Sequence, residues 1–357
     1  MMNASAPGLA KPGPGLAPTS ALAAPLALAF GLRFEDLYAR EGLLRVDAAF
    51  TAALRGADAA LEARLAAARQ DPAALETKAE SALLLDIAPH LERFIAELFG
   101  IVEASQALAH RHDELAPLYE VKRKFVQRHA VSKYKPAAAQ ELDGPALEAE
   151  LQAKFGGSFS ELAFARHVTA WQADEAAHAA DLDLATRYAA WALQTPGGQA
   201  RSRAGVLFKA PAKTDPLHLL HHAEQRTEDG VTKFTIRPEH IRRREGFALT
   251  DHGTDLVGAL DQANYCIWCH KQGKDSCSKG LKEKPDAQGK VQFKKSPFGV
   301  TLAGCPLEEK ISEFHMAKTQ GLPVTALAII TVDNPMAAAT GHRICNDCMK
   351  ACIYQKQ

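Results

Sequence analysis

Cysteine is missing from the first 265 residues of this 357-residue chain, and all seven cysteines fall between Cys266 and Cys352. A disulfide framework would need an oxidising compartment, and an odd count would leave a thiol unpaired. Charge of one sign is missing as well: Lys+Arg and Asp+Glu are both 42, a balance unlike the basic excess of a nucleic-acid binder, so no nucleic-acid partner is expected. Aromatics are only 7% and alanine is abundant, which favours helices over sandwiches and barrels. No apolar run is long enough to span a bilayer; the nearest, residues 21–32, is broken by Pro25. Its approach carries only Lys11, unlike the basic start of an export signal, so the expectation is a cytoplasmic protein with no membrane span. Neither G-x-G-x-x-G nor G-x-x-x-x-G-K-[ST] occurs, which removes the usual phosphate and dinucleotide loops.

What is present divides into four stretches. Residues 1–33 are Ala-, Pro- and Gly-rich and read as a disordered leader. Residues 34–195 read as a helical domain of unknown role, with Leu37, Leu43, Leu44, Phe50 and Leu54 at helical spacings. Leu83, Leu84, Ile87, Leu91, Phe94, Leu98 and Phe99 continue the pattern, with an end or kink expected at Pro89. Another helix, residues 107–131, ends in a basic run of Lys122, Arg123, Lys124 and Arg128, and residues 136–143 read as a linker. Residues 196–255 read as an exposed connector with a strand at Val231–Ile236, and residues 256–357 as the cysteine domain, opened by a short helix, Leu256–Tyr265.

The cysteine spacing is C-x2-C at Cys266 and Cys269, then Cys277, then Cys305-Pro306, then C-x2-C-x3-C at Cys345, Cys348 and Cys352. Iron–sulfur clusters are held by cysteine thiolates, usually four to a [4Fe-4S] cube, and a ligand preceding proline often serves the neighbouring cube. Two cubes need eight ligands, so seven cysteines leave one place for another group.

An ordered set of residues resembles the N-terminal iron–sulfur domain of dihydropyrimidine dehydrogenase and of the glutamate synthase small subunit. The set is C-I-W-C at 266–269, Cys277, C-P at 305–306, Ile311, Phe314, Ala326, Ile330, D-N-P-M at 333–336, G-H-R-I-C at 341–345, and Cys352. The resemblance implies an α-helical ferredoxin-like domain behind a helical N-terminal region, in a mainly α chain. It implies that Cys266, Cys269, Cys277 and Cys352 hold one [4Fe-4S] cluster and that Cys305, Cys345 and Cys348 hold a second, incomplete here. In that family the domain passes electrons beside an FAD and NAD(P)H unit. FAD and NAD(P)H would then belong to a missing or partner flavoprotein, leaving this chain an oxidoreductase component without catalytic residues and inactive alone. The sequence departs from the family in a longer gap before Cys277, an insert at 278–304, and Asn346 where proline is usual.

The main rival is a zinc-stabilised interaction module on Cys266, Cys269, Cys345 and Cys348, which leaves Cys277, Cys305 and Cys352 idle. C-I-W-C-H also matches a c-type haem attachment, but that needs export. His270 is expected at the surface or hydrogen-bonded near a sulfur, and Trp268 as a shield against water. His218, His221 and His222 read as a helix surface, and Glu175-x-x-His178 as an isolated half of a di-iron signature. Lys279, Lys282, Lys284, Lys290, Lys294 and Lys295 stand in the insert against Glu283 and Asp286, as a solvated hairpin or a docking loop for an acidic partner.

Overall fold

The computed structural model describes residues 27–211, 215, 217, 223–241, 246, 253–341 and 345–354. Within these residues the fold is mainly helical, as the alanine-rich composition predicts. Four helices come first: α1 (Arg40–Ala57), α2 (Ala59–Gln70), α3 (Thr77–Leu98) and α4 (Val102–Val121). The Asp58 carboxylate caps α2 by accepting from the Leu61 N–H at 2.9 Å, which satisfies a donor that the helix start leaves open. Leu54, Leu61, Leu83, Phe94 and Leu98 form the first core, and Phe50 meets the Phe94 ring edge-on with centroids 5.4 Å apart. Each such buried side chain contributes roughly 1.5–3 kcal/mol.

Two expectations change here. Helix α3 continues through Pro89 rather than ending there, because the packing of its Leu83 and Phe94 face outweighs one lost backbone bond. The leader reading ends at residue 26, outside the described residues. Residues 27–33 are packed: Leu28 and Leu32 enter the first core, and the Ala29 N–H donates to the Leu98 carbonyl at 3.0 Å.

Helix α4 leads directly into a π-helical stretch, Lys122–Ala130. Next come α5 (Val131–Lys133), α6 (Pro136–Gln140), α7 (Gly144–Phe155), α8 (Glu161–Gln172), α9 (Ala179–Gln194) and α10 (Pro196–Arg201). Ser160 caps α8, and Thr195, followed by Pro196 at the first helical position, caps α10. These helices enclose a second, larger core around Phe125, Leu151, Phe164, Val168 and Tyr188. The linker at 136–143 contains α6 with Ala139 fully buried, and the connector begins later than expected because Leu207 and Phe208 close this core.

Strands β1 (Ala223–Glu228) and β2 (Val231–Ile236) pair antiparallel as one exposed hairpin, with the second strand where the sequence placed it. Helix α11 (Leu256–Tyr265), capped by Asp255, buries Leu260 in the second core. Short α12 (Ser276–Lys279) precedes the insert, and α13 (Ile311–Thr319), α14 (Pro323–Asp333), α15 (Ala337–Thr340) and α16 (Asp347–Ala351) complete the chain. Helices α13 and α14 share a small core of Ala317, Ala326 and Ile329.

Candidate functional site

The cysteine segment is held by the helices before it. Tyr119 donates its hydroxyl to the Val257 carbonyl at 2.8 Å, and Lys122 pairs with Asp261 in a largely buried contact of 2.5 Å. The Arg123 guanidinium donates to the Asn264 carbonyl and, at 2.8 Å, to the Cys266 carbonyl, fixing the end of α11 where the first thiol leaves it. The π-helical turn brings these residues to α11. From α3, the buried Glu92 carboxylate accepts the Thr325 N–H at 2.7 Å and the Val324 N–H at 3.4 Å, so it caps α14 from another helix. Thr325 returns a hydroxyl bond of 2.9 Å to the Ala88 carbonyl.

Cys266 caps the end of α11, Cys269 opens a 3-10 turn, Cys277 lies in α12 and Cys352 caps the end of α16. Cys266, Cys269 and Cys277 stand close enough to feel one another's charge, and Cys352 acts on Cys266 and Cys269. Between the first two, Trp268 takes φ of 43° and turns its N–H onto the Cys266 sulfur at 3.4 Å. Such a left-handed bulky residue stores strain, here spent on aiming a donor at a sulfur. The buried Ser312 hydroxyl lies 4.0 Å from the Cys277 sulfur and also bonds Cys266.

The second group is Cys305, Cys345 and Cys348, with Cys348 acted on by both others and by Glu309. Cys345 is exposed, and Cys348 lies in α16. Asn346 starts α16 at φ of 63°, a left-handed position that Asn tolerates and that proline, fixed near −65°, cannot take. That explains the departure noted in the sequence. All seven cysteines are free thiols.

Burial is the leading cause that pushes Cys266, Cys269 and Cys348 above the usual thiol range, and it pushes Cys277 far above it. For Cys266 the Trp268 N–H, the Ser312 hydroxyl and the Arg123 charge act the other way. A buried thiol of this kind stays protonated unless a cation compensates its charge. His270 is buried rather than at the surface: Nε2 lies 3.2 Å from Asp275 Oδ1 and 3.5 Å from Glu313 Oε1. Burial opposes its protonation, but the neighbouring Asp275 and Glu313 carboxylates outweigh this and hold the imidazole above its ordinary range.

Among the described residues, no group of three or more His, Cys, Asp or Glu is arranged to hold a metal ion. The seven cysteines expected as ligands fall into two groups, Cys266, Cys269, Cys277 and Cys352 in one and Cys305, Cys345 and Cys348 in the other. The four-thiolate zinc set is divided, since Cys266 and Cys269 stand in the first group and Cys345 and Cys348 in the second. His178 is engaged with Asp181 at 3.0 Å, and His218, His221 and His222 lie outside the described residues. No helix among the described residues is long and apolar enough to cross a membrane.

Residues 28–100 match a family model described as the RP005 N-terminal alpha-helical domain. The chain is 33% identical over 307 residues to "Uncharacterized protein RP005" of Rickettsia prowazekii, covering 83% of this chain and the whole of that protein. A second likeness, 91% identical over 22 residues, is to "Uncharacterized protein RP006" of the same organism and takes in 6% of this chain and 3% of that protein. No solved structure matches. These findings overturn the resemblance to dihydropyrimidine dehydrogenase and the glutamate synthase small subunit. The labels iron–sulfur, metal-binding, electron-transfer oxidoreductase and glutamate synthase-like have no support from descent, because the likeness that spans the chain runs to RP005. Short cysteine motifs recur in unrelated lineages and identify none by themselves.

Proposed function

The chain belongs to the RP005 family, and for it we propose, from its own residues alone, an electron-relay role in which each of the two thiol groups serves as a ligand set for a [4Fe-4S] cluster. The observation that carries this reading is the gathering of Cys266, Cys269, Cys277 and Cys352 from separate chain segments into one partly buried neighbourhood, in which Cys266 and Cys269 feel Cys352 and Cys277 feels Cys266 and Cys269. A cube spreads its four thiolates over a wider shell than a single ion does. Four cysteines in the first group match the usual ligand number of a [4Fe-4S] cube.

The chemistry of the donors fits. Buried thiols are costly to ionise alone, and a cationic cluster core would supply the missing compensation. The Trp268 N–H and the Ser312 hydroxyl are the kind of donors that stabilise ligating sulfur. Cys305, Cys345 and Cys348 leave one ligand of the second cluster to a group other than cysteine. When bound, the clusters supply reversible one-electron chemistry. The protein's own residues hold the sulfurs, exclude water and set the local charge. In this reading the helical cysteine region is the cluster-binding part of the chain.

Anaerobic purification tests it. The expected product is a brown protein with iron and acid-labile sulfide in equal amounts, about four or more of each per chain. A colourless protein that takes up neither during anaerobic reconstitution would refute the reading.

A further inference from the structure

A cavity of about 290 Å³ opens where helix α4 passes into the π-helical stretch and both meet α11. That is close to the roughly 300 Å³ at which small-molecule pockets begin. The π-helical stretch starts at Lys122, within this wall, and π-helical turns are rare and recur at functional sites.

The wall is mixed. Tyr119 spends its hydroxyl on the Val257 carbonyl and Leu260 belongs to the second core, so these two offer apolar surface. Glu120 and Lys124 stand exposed on the same wall and pair with each other at 2.5 Å, which cancels their charges. Arg123 is left. It is half-buried, and both of its hydrogen bonds, to the Asn264 and Cys266 carbonyls, come from Nη2. No carboxylate pairs with it among the described residues, and its Nη1 and Nε donors have no acceptor there. A guanidinium drawn partly out of water and held only by neutral carbonyls attracts an anion more strongly than a solvated one does. Its charge-assisted bonds to an oxyanion are of the strong kind.

His112 is the buried polar member of the wall, with 3% exposure. Its Nδ1–H donates to the Leu108 carbonyl at 2.7 Å, and Nε2 has no hydrogen-bond partner among the described residues. In the neutral ring that nitrogen accepts, and buried acceptors are normally met by a donor.

We infer that this cavity is a binding site for a small organic oxyanion. Arg123 takes its carboxylate or phosphate, Tyr119 and Leu260 pack its apolar body, and a hydroxyl on that body bonds His112. The site adjoins the first thiol group, because Arg123 also holds the Cys266 carbonyl. It goes beyond the relay reading and needs no bound cluster, so failed cluster reconstitution leaves it standing.

The test is calorimetric titration of the full chain with 4-hydroxybenzoate and with 4-hydroxyphenyl phosphate. Saturable one-to-one binding of at least one is expected, and the tighter of the two identifies the oxyanion. The neutral 4-hydroxybenzamide, with the same body and no charge, should bind about tenfold or more weakly, and Arg123→Met should weaken the anion to a similar degree. Ala116 lies exposed on the cavity wall, so Ala116→Trp should block the cavity and abolish binding while the melting temperature stays unchanged. No saturation by either anion up to about 10 mM overturns the inference. So does equal binding of the neutral amide, or binding that survives Ala116→Trp.

Discussion

The backbone N–H of Cys305 donates to the carbonyl oxygen of Cys277 at 2.9 Å, so a member of each thiol group is tied to a member of the other. The bond closes the neck of the insert at 278–304, and two glycines make it possible. Gly280 and Gly304 hold φ of 85° and 84°, and a Cβ on Gly304 would come within 2.5 Å of the Gly280 nitrogen and 2.8 Å of the Ser278 carbonyl oxygen.

Gly304→Ala should therefore cost more than the roughly 1 kcal/mol that a left-handed alanine costs. Gly289→Ala is the control: its φ is 76° but nothing lies within 4 Å of its Cβ position. Denaturant unfolding should show Gly304→Ala as clearly the more destabilising, with faster exchange of the Cys305 amide. Equal costs would contradict a tight neck.

Glu92 is expected to bind α14 to the first core. Glu92→Ala leaves the Val324 and Thr325 N–H groups without their acceptor, a loss of about 1–3 kcal/mol for buried donors. Hydrogen exchange should quicken in the first turn of α14 while the amides around Leu54 and Phe94 stay protected. Uniform loosening of both regions would show that Glu92 supports the first core instead.

Arg123 reaches two carbonyls at the end of α11, which lysine, a single point of charge, cannot reproduce. Arg123→Lys should retain the helical core and speed labelling of Cys266 by iodoacetamide several-fold, with Cys345, already exposed, unchanged. Unaltered Cys266 labelling would remove Arg123 from the account.

The His315 ring gives a pH signature. Burial lowers its pKa from 6.5 to about 4, against a raising hydrogen bond to the Ala263 backbone. The neutral form is favoured in the folded chain, so stability is fully present above pH 6.5. It falls as pH drops toward 4, when the unfolded chain takes up the proton first. The limit is about 3 kcal/mol at 1.36 kcal/mol per unit. The melting temperature of His315→Gln should fall less steeply between these pH values than that of the unaltered chain, and parallel curves would contradict the assignment.

Local signals were legible and tertiary ones were not. Helix Leu256–Tyr265 and strand Val231–Ile236 follow from short-range pattern. The basic run at Lys122, Arg123 and Lys124 was visible, but its target was not, because Asp261 and the Cys266 carbonyl lie some 140 residues away in sequence and a π-helical turn sets the approach. Leu207 and Phe208 are too short an apolar signal to reveal that they close a core. Residues 27–33 looked like leader because their partner, α3, lies far along the chain. Ligand spacing constrains local geometry tightly and says little about descent, which is how the cysteine pattern resembled one family in a chain that belongs to another.

The most direct measurement compares two thiols distant in sequence, Cys277 and Cys352. After anaerobic reconstitution, iron, sulfide and the electron paramagnetic resonance signal of the reduced protein are read for Cys277→Ser and Cys352→Ser. The account expects both variants to lose the same signal and the same share of iron, about four per chain, while Cys305→Ser loses a different one. Full iron in either variant, or no iron in the unaltered chain, would contradict it.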